Sequence, residues 1–281
     1  MAPTEKDITL AFEKALSRHG FGFQYAVLKE IKELYEAGKS YWYPTTAEFP
    51  VDVQGSGTRI DIILEHKLGQ KYMVCECKRV DPALGNWCFA RTSRPTDIQF
   101  VDRSYIEMLR FDGHDTFSEL KDIIGSDRIF QIAAEVRSDQ KGDSSSSGRN
   151  QIEDAATQVC RGFNGLMRFF ATRTFPPFLA LNQPIGFIPV IITTANILAT
   201  KADISRTNLE TGQIANLTPA LEAQDWLWYE YTQSPNLVHK LPNYHGSKDL
   251  VKILFGEYVR RIAIVNPSGI GAFLGMEPWR F

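Results

Sequence analysis

The chain reads as an α/β protein with a mixed central sheet flanked by helices, and three features of the sequence carry that expectation. Helical spacing of apolar residues opens the chain and returns over residues 151 to 170. Between them lie three short β-branched stretches, the last ending in VCECK at residues 74 to 78. Two near-continuous apolar runs, VIITT (190 to 194) and RIAIV (261 to 265), have the character of strands covered on both faces.

Taken in order, the first helical stretch runs around Asp7 to Arg18 and the second from about Phe23 to Ala37, with Gly20 and Gly22 between them and Gly38 as the C-terminal cap. Ala47 to Val53 and Thr58 to Leu64 form a hairpin about the turn QGSG, and a third strand, Lys71 to Cys77, follows a turn over His66 to Gln70. The next segment, RVDPALGNWCFARTSRPTD, has no clean period and reads as a loop carrying the charge of Arg79, Arg91 and Arg94. IFQIAAEVR (129 to 137) alternates as a half-exposed strand does, and SDQKGDSSSSGRN (138 to 150) reads as a polar loop. In the helix that begins near Gln151, Ile152, Ala155, Ala156, Val159, Phe163 and Leu166 recur on one face, which should be core. Pro189 is acceptable at the start of the VIITT strand, and a short helical segment follows RIAIV around Ile270 to Leu274. WLWYEY (226 to 231) is expected to serve packing rather than base stacking. One domain over 1–281 is expected, with a core over about 20–195 and a C-terminal extension over about 196–281.

Composition narrows the function classes. With 281 residues, 43% hydrophobic and 12% aromatic, the chain has enough apolar surface to build a core. The 31 basic and 33 acidic residues leave a net charge of -2, so any hold on nucleic acid must come from a local basic patch. No run of about 18 apolar residues and no signal-like N-terminus is present, so a soluble, cytoplasmic protein without a membrane partner is expected. The four cysteines fit reduced, buried thiols, and a lone C-x-C pair is a poor zinc site.

The chemistry is concentrated in the strands. In VCECKRV, Glu76 and Lys78 share one strand face while Cys75 and Cys77 share the other. Asp61, on the hairpin's second strand, precedes Glu76 by fifteen positions. If the two strands pair antiparallel, their carboxylates converge at one end of the sheet with Lys78 beside them. Two carboxylates and a main-chain carbonyl are the hard oxygen ligands Mg²⁺ prefers, and an ammonium there can orient a water for attack. Asp52 on the first strand is the rival to Asp61, but it lies farther from Glu76 in sequence.

GSGTRIDIIL followed by KYMVCECK resembles the core signature of the PD-(D/E)XK nucleases, the restriction endonuclease-like superfamily. Ile60 stands where the family's name has proline, a departure common among its members. The resemblance implies an αβββαβ core in which Asp61 and Glu76 bind Mg²⁺, the Cys77 carbonyl adds a ligand and Lys78 positions the attacking water. The resemblance also implies that Mn²⁺ can substitute for Mg²⁺ in such a site. The family often places a Glu or Gln from the first core helix against the metal, and Gln24, on an apolar helical face, and Glu30, at its edge, are the two candidates. On the residues alone, Gln24 is equally a core amide satisfied by main chain.

The expected activity is therefore that of a hydrolase, a Mg²⁺-dependent nuclease acting on nucleic acid, DNA in the first place, with a homodimer as one arrangement for cutting both strands. Arg79, Arg91 and Arg94 are candidate phosphate contacts. Gln151, Gln158 and Arg161 lie off the apolar face of their helix, where they either touch the substrate backbone or form a solvated surface. The alternative is a catalytically silent nuclease-like module that binds nucleic acid or protein. An α/β-hydrolase is disfavoured because no G-x-S-x-G elbow occurs.

Overall fold

The computed structural model describes residues 5–18, 20–53, 55–81, 85–92, 103–112, 115–125, 128–136, 150–172, 184–200, 204, 207–214, 221–237 and 259–276. Two helices open the chain, α1 (Glu5–Arg18) and α2 (Phe21–Glu36). Helix α2 stops where Gly38, at φ +70°, donates to the Tyr35 carbonyl and Lys39 donates to that of Leu34. That pair of bonds satisfies carbonyls a helix end would otherwise leave open, and the left-handed turn falls on a residue without a Cβ.

Three antiparallel strands follow: β1 (Trp42–Val53), β2 (Ser56–His66) and β3 (Lys71–Lys78). Strand β1 is the sheet edge, where Pro44 and Pro50 are tolerated, and its register slips by one residue between Pro44 and Thr46. His66, expected in a turn, is the last residue of β2 and fully buried, its ring edge-on to Trp42 with 5.0 Å between centroids.

The segment after Lys78, expected to be a loop, contains strand β4 (Asn86–Ala90). It is followed by β5 (Arg103–Asp112), β6 (Asp115–Gly125), β7 (Ile129–Phe130) and β8 (Ile132–Val136). The long helix α3 (Gln151–Ala171) is capped by Asn150, whose side chain accepts from the Ile152 and Glu153 amides at 3.0 and 3.3 Å. Then come β9 (Ile185–Thr193), β10 (Asn196–Thr200), β11 (Glu222–Ala223), β12 (Trp226–Thr232), β13 (Val259–Val265), a 3-10 turn (Pro267–Gly269) and α4 (Ile270–Leu274).

The main sheet runs β1-β2-β3-β9-β13-β12-β7, with β5 also on β9 and β6 on β5. It is mixed: β3, β9 and β13 are parallel neighbours, whereas β1, β2 and β3 alternate. Every residue of β9 is buried, and β13, which the sequence places in a C-terminal extension, pairs with it directly. Pro189 sits inside β9 rather than at its start. It falls between the stretch paired with β5 (185–187) and the stretch paired with β13 (190–192), the gap where a missing N–H costs least.

Helix α2 covers one face of the sheet, packing Val27 and Ile31 against Trp42, Ile62, Leu64 and Met73. Helix α3 covers the other, packing Ala155, Val159 and Phe163 against Ile60, Val74 and Phe187. Gly162 and Gly165 let α3 approach closely, because a Cβ on either would lie 2.9 Å from Ile60 and 2.7 Å from Val51 respectively. A second, four-stranded sheet, β11-β10-β4-β8, begins where β3 and β9 end, and its β4 and β10 keep their parallel relation. WLWYEY lies in β12 with five consecutive buried residues, as packing requires. No helix among the described residues is long and apolar enough to cross a membrane.

Candidate active site

The β2–β3 ladder runs from Glu65 opposite Tyr72 to Ile62 opposite Cys75 and stops there. Asp61 is the next residue of β2, and its Oδ2 accepts the Cys77 N–H at 2.7 Å. A side-chain oxygen thus serves an amide that the neighbouring backbone no longer reaches, so the two strands part without orphaning it. Thr194 donates to the Lys78 carbonyl from the β9 side at 3.2 Å. By strand alternation the main-chain groups of Cys77 then face β2, and its carbonyl points into the same opening.

Glu76 and Lys78 sit at this end of β3, partly open to solvent, while Cys75 is buried on the α2 side. Burial first, then the charge of Asp61, pushes the pKa of Glu76 well above the ordinary carboxylate range, and Glu48 adds to this while Lys78 opposes it. Asp61 is pushed up to about 6, chiefly by burial; the Cys77 N–H and Lys78 pull it down and Glu48 pushes it up. The Cys75 and Cys77 thiols are raised by burial and by the Asp61 charge, which keeps them protonated and inert at neutral pH.

Gln24 reaches this end from α2 and is buried. Its amide donates to the main-chain carbonyl of Asp61 at 2.9 Å and to Glu48 Oε1 at 2.7 Å. The main-chain partner expected of a core amide is therefore present, and the second acceptor is the carboxylate of Glu48 rather than that of Asp61 or Glu76. Glu48 is the residue that sequence reasoning missed. It lies on β1 between Ala47 and Phe49, which pair with Ile62 and Ile60, so it stands opposite Asp61. Its backbone is left-handed, at φ +53°, which no sequence pattern signals in a strand.

The remaining candidates scatter. Glu30 is exposed on α2 and Asp52 caps the hairpin turn, accepting the Gly55 N–H at 2.8 Å. Arg79 is exposed just past Lys78. Arg91 is half-buried, its guanidinium 5.2 Å from the Phe130 ring centre, which makes it a packing residue more than a free phosphate contact. Arg94 lies outside the described residues. Gln151 is half-buried, and its main-chain N–H donates to Glu135 Oε2 at 3.4 Å. Gln158 and Arg161 are exposed farther along α3. As the side chains stand, no three His, Cys, Asp or Glu residues among those described are grouped as a metal site.

Compared with known proteins, the chain matches no family model, no curated protein and no solved structure.

Proposed function

We propose that the protein is a metal-dependent nuclease of the PD-(D/E)XK, restriction endonuclease-like kind, hydrolysing phosphodiester bonds in nucleic acid, DNA in the first place. The observation that carries this reading is the parted end of β2 and β3, where Asp61, Glu76, Lys78 and the Cys77 carbonyl meet. The order α2, β1, β2, β3, α3, β9, with β9 parallel to β3 and a helix on each face, is the element order such a core requires.

The donor set suits a hard cation: two carboxylates and a carbonyl, in a place where burial disfavours their negative charge until a counter-charge arrives. Asp61, Glu76 and the Cys77 carbonyl would hold Mg²⁺ or Mn²⁺, which supplies Lewis acidity toward a phosphoryl oxygen. Lys78 offers N–H donors to the attacking water and to the charge that grows on the phosphoryl oxygens. The Cys77 amide keeps Asp61 aimed into the opening.

A second reading, a nuclease-like module that binds without cutting, is favoured by one observation. Asp61 and Glu48 are each engaged by a protein donor, and among the described residues no three acidic side chains are gathered about one point. Incubation with supercoiled and linear DNA in Mg²⁺, Mn²⁺, Ca²⁺ or excess chelator separates the two. Cleavage in Mg²⁺ and Mn²⁺ that vanishes with chelator and with Glu76→Gln is the expected result. DNA retained but never cut in either metal would favour the binding module, and full cleavage in chelator would overturn the metal assignment.

A further inference from the structure

Strand β8 is turned against its own composition. Ile132 and Val136 are 40% and 44% exposed and Ala134 is exposed between them, while the residues turned inward are Ala133, which packs on the α3-side core, and Glu135, which is half-buried. A slip of one residue along β4 would bury the three apolar side chains and return the carboxylate to water. The fold holds Glu135 inward against that gain, and local rules give way in this manner at functional positions.

The two sheets bring Glu135 toward the opening. In β3, Val74 packs on the α3-side core, so Glu76 and Lys78, which share its alternation, look onto the same face. The parallel ladder of β3 and β9 ends at Lys78 and Thr193, and that of β4 and β10 takes up at Asn86 and Asn196. Trp87 and Glu135 are cross-strand partners in the next row, also on the α3 face, since Trp87 belongs to that core. Glu135 Oε2 accepts the N–H of Gln151, the first residue of α3, at 3.4 Å. Its Oε1 is buried and makes no hydrogen bond, nor does the buried indole N–H of Trp87. Burial raises the Glu135 pKa; the Gln151 N–H, the nearby Trp87 N–H and the charge of Lys78 pull it down, and Asp154 pushes it up. An enclosed acceptor without a donor calls for one, and the ammonium whose field it feels is that of Lys78.

We propose that Glu135 is a positioning residue of the site, holding the Lys78 ammonium at the opening from the second sheet. This rests on the nuclease reading above and gives the second sheet a part in it. Once Asp61 and Glu76 serve as ligands they no longer balance Lys78, and the positive charge between them repels it. A carboxylate outside the ligand set keeps the ammonium at the opening rather than in solvent.

The test combines cleavage kinetics with trace acetylation of lysines in metal-free, DNA-free protein, mapped by peptide mass and scaled to the exposed Lys29. Glu135→Gln, which still accepts the Gln151 N–H, should lower turnover by about tenfold or more with KM unchanged. Acetylation of Lys78 should rise several-fold in the same variant, and Glu135→Asp should recover part of both effects. In a Lys78→Ala background, Glu135→Gln should slow cleavage no further, because the two residues act as one unit. Wild-type acetylation of Lys78 together with undiminished turnover in Glu135→Gln would overturn the proposal and leave the nuclease reading intact. A lower thermal midpoint with unchanged Lys78 acetylation would make Glu135 a structural residue. A wild-type protein that cuts no DNA would overturn the nuclease reading, and unchanged Lys78 acetylation in Glu135→Gln would then overturn the Glu135 hold separately.

Discussion

Two charged clusters of the main sheet are built on opposite principles. On β12 and β13, Glu230 and Arg261 are cross-strand partners whose side chains are 4% and 6% exposed, and Arg261 Nε and Nη2 lie 3.2 and 3.1 Å from Glu230 Oε2. Opposite charges meet side by side, largely closed to water. At the parted end of β2 and β3, two carboxyls, Asp61 and Glu76, feel each other's charge beside Lys78, and burial raises the proton affinity of both instead of lowering it. A matched pair serves the fold, whereas an excess of like charge is a cost that folding alone does not explain.

The most severe way to break the contrast acts on the second cluster. Glu76→Ala or Lys78→Ala should lower cleavage by more than about a thousandfold while the far-ultraviolet spectrum stays native, since neither side chain is core. A Glu76→Ala protein that cuts at the wild-type rate would place the chemistry elsewhere. The matched pair should behave in the reverse sense. Glu230→Ala removes the carboxylate that Arg261 Nε and Nη2 reach in a buried setting and should cost about 3–5 kcal/mol in denaturant unfolding, whereas replacing both with Met should be close to neutral.

Asp61→Asn sharpens the comparison through pH. Burial pushes the Asp61 carboxyl up to about 6, against 3.8 for the free group. The folded state therefore binds more protons than the unfolded state in that window, and stability falls as pH rises through it. Glu76 acts in the same direction. In metal-free buffer, Asp61→Asn should flatten this decline and be more stable than wild type at pH 7 by on the order of 1–3 kcal/mol. Thermal unfolding between pH 4 and 8 measures it, and a variant less stable at pH 7 would show that the Asp61 charge is compensated after all. The smallest effect is expected at Arg79. Its replacement by Ala should weaken DNA binding by a few-fold and reduce the salt dependence by about one counterion. An unchanged slope would remove Arg79 from the interface.

Much of this was legible because the relevant patterns are local. The apolar spacing of α2 and α3 and the β-branched runs of β2, β3, β9 and β13 each announce an element that buries a stripe or a whole strand. The second sheet was not legible, because β4 and β10 are five residues each and β11 two, interspersed with turn residues that mimic a loop. Asp61, Glu76 and Lys78 could be placed at one strand end because alternation and hairpin connectivity determine it. Gln24 stood out as an amide on an apolar face. Glu48 did not, since its place beside Asp61 depends on a backbone angle and on a hydrogen bond from Gln24, twenty-four residues away. The only hint was a charged residue between Ala47 and Phe49 in a strand bracketed by prolines.

The position of β3 between β2 and β9 also has a consequence for how the chain is made. Apart from Glu135, the site residues lie between Gln24 and Lys78, so they leave the ribosome early, but the strand that covers the other edge of β3 begins only at Ile185. At typical synthesis rates of about 5–20 residues per second, the nascent chain carries the KYMVCEC edge uncovered for several seconds at least. An open, apolar strand edge is a template for pairing with another chain. Helix α3, whose Gly162 and Gly165 weaken it as an isolated helix, cannot shield the sheet before it docks. Ribosome-bound chains that end before residue 185 should therefore be the aggregation-prone and chaperone-dependent species, and chains that extend past β9 should not.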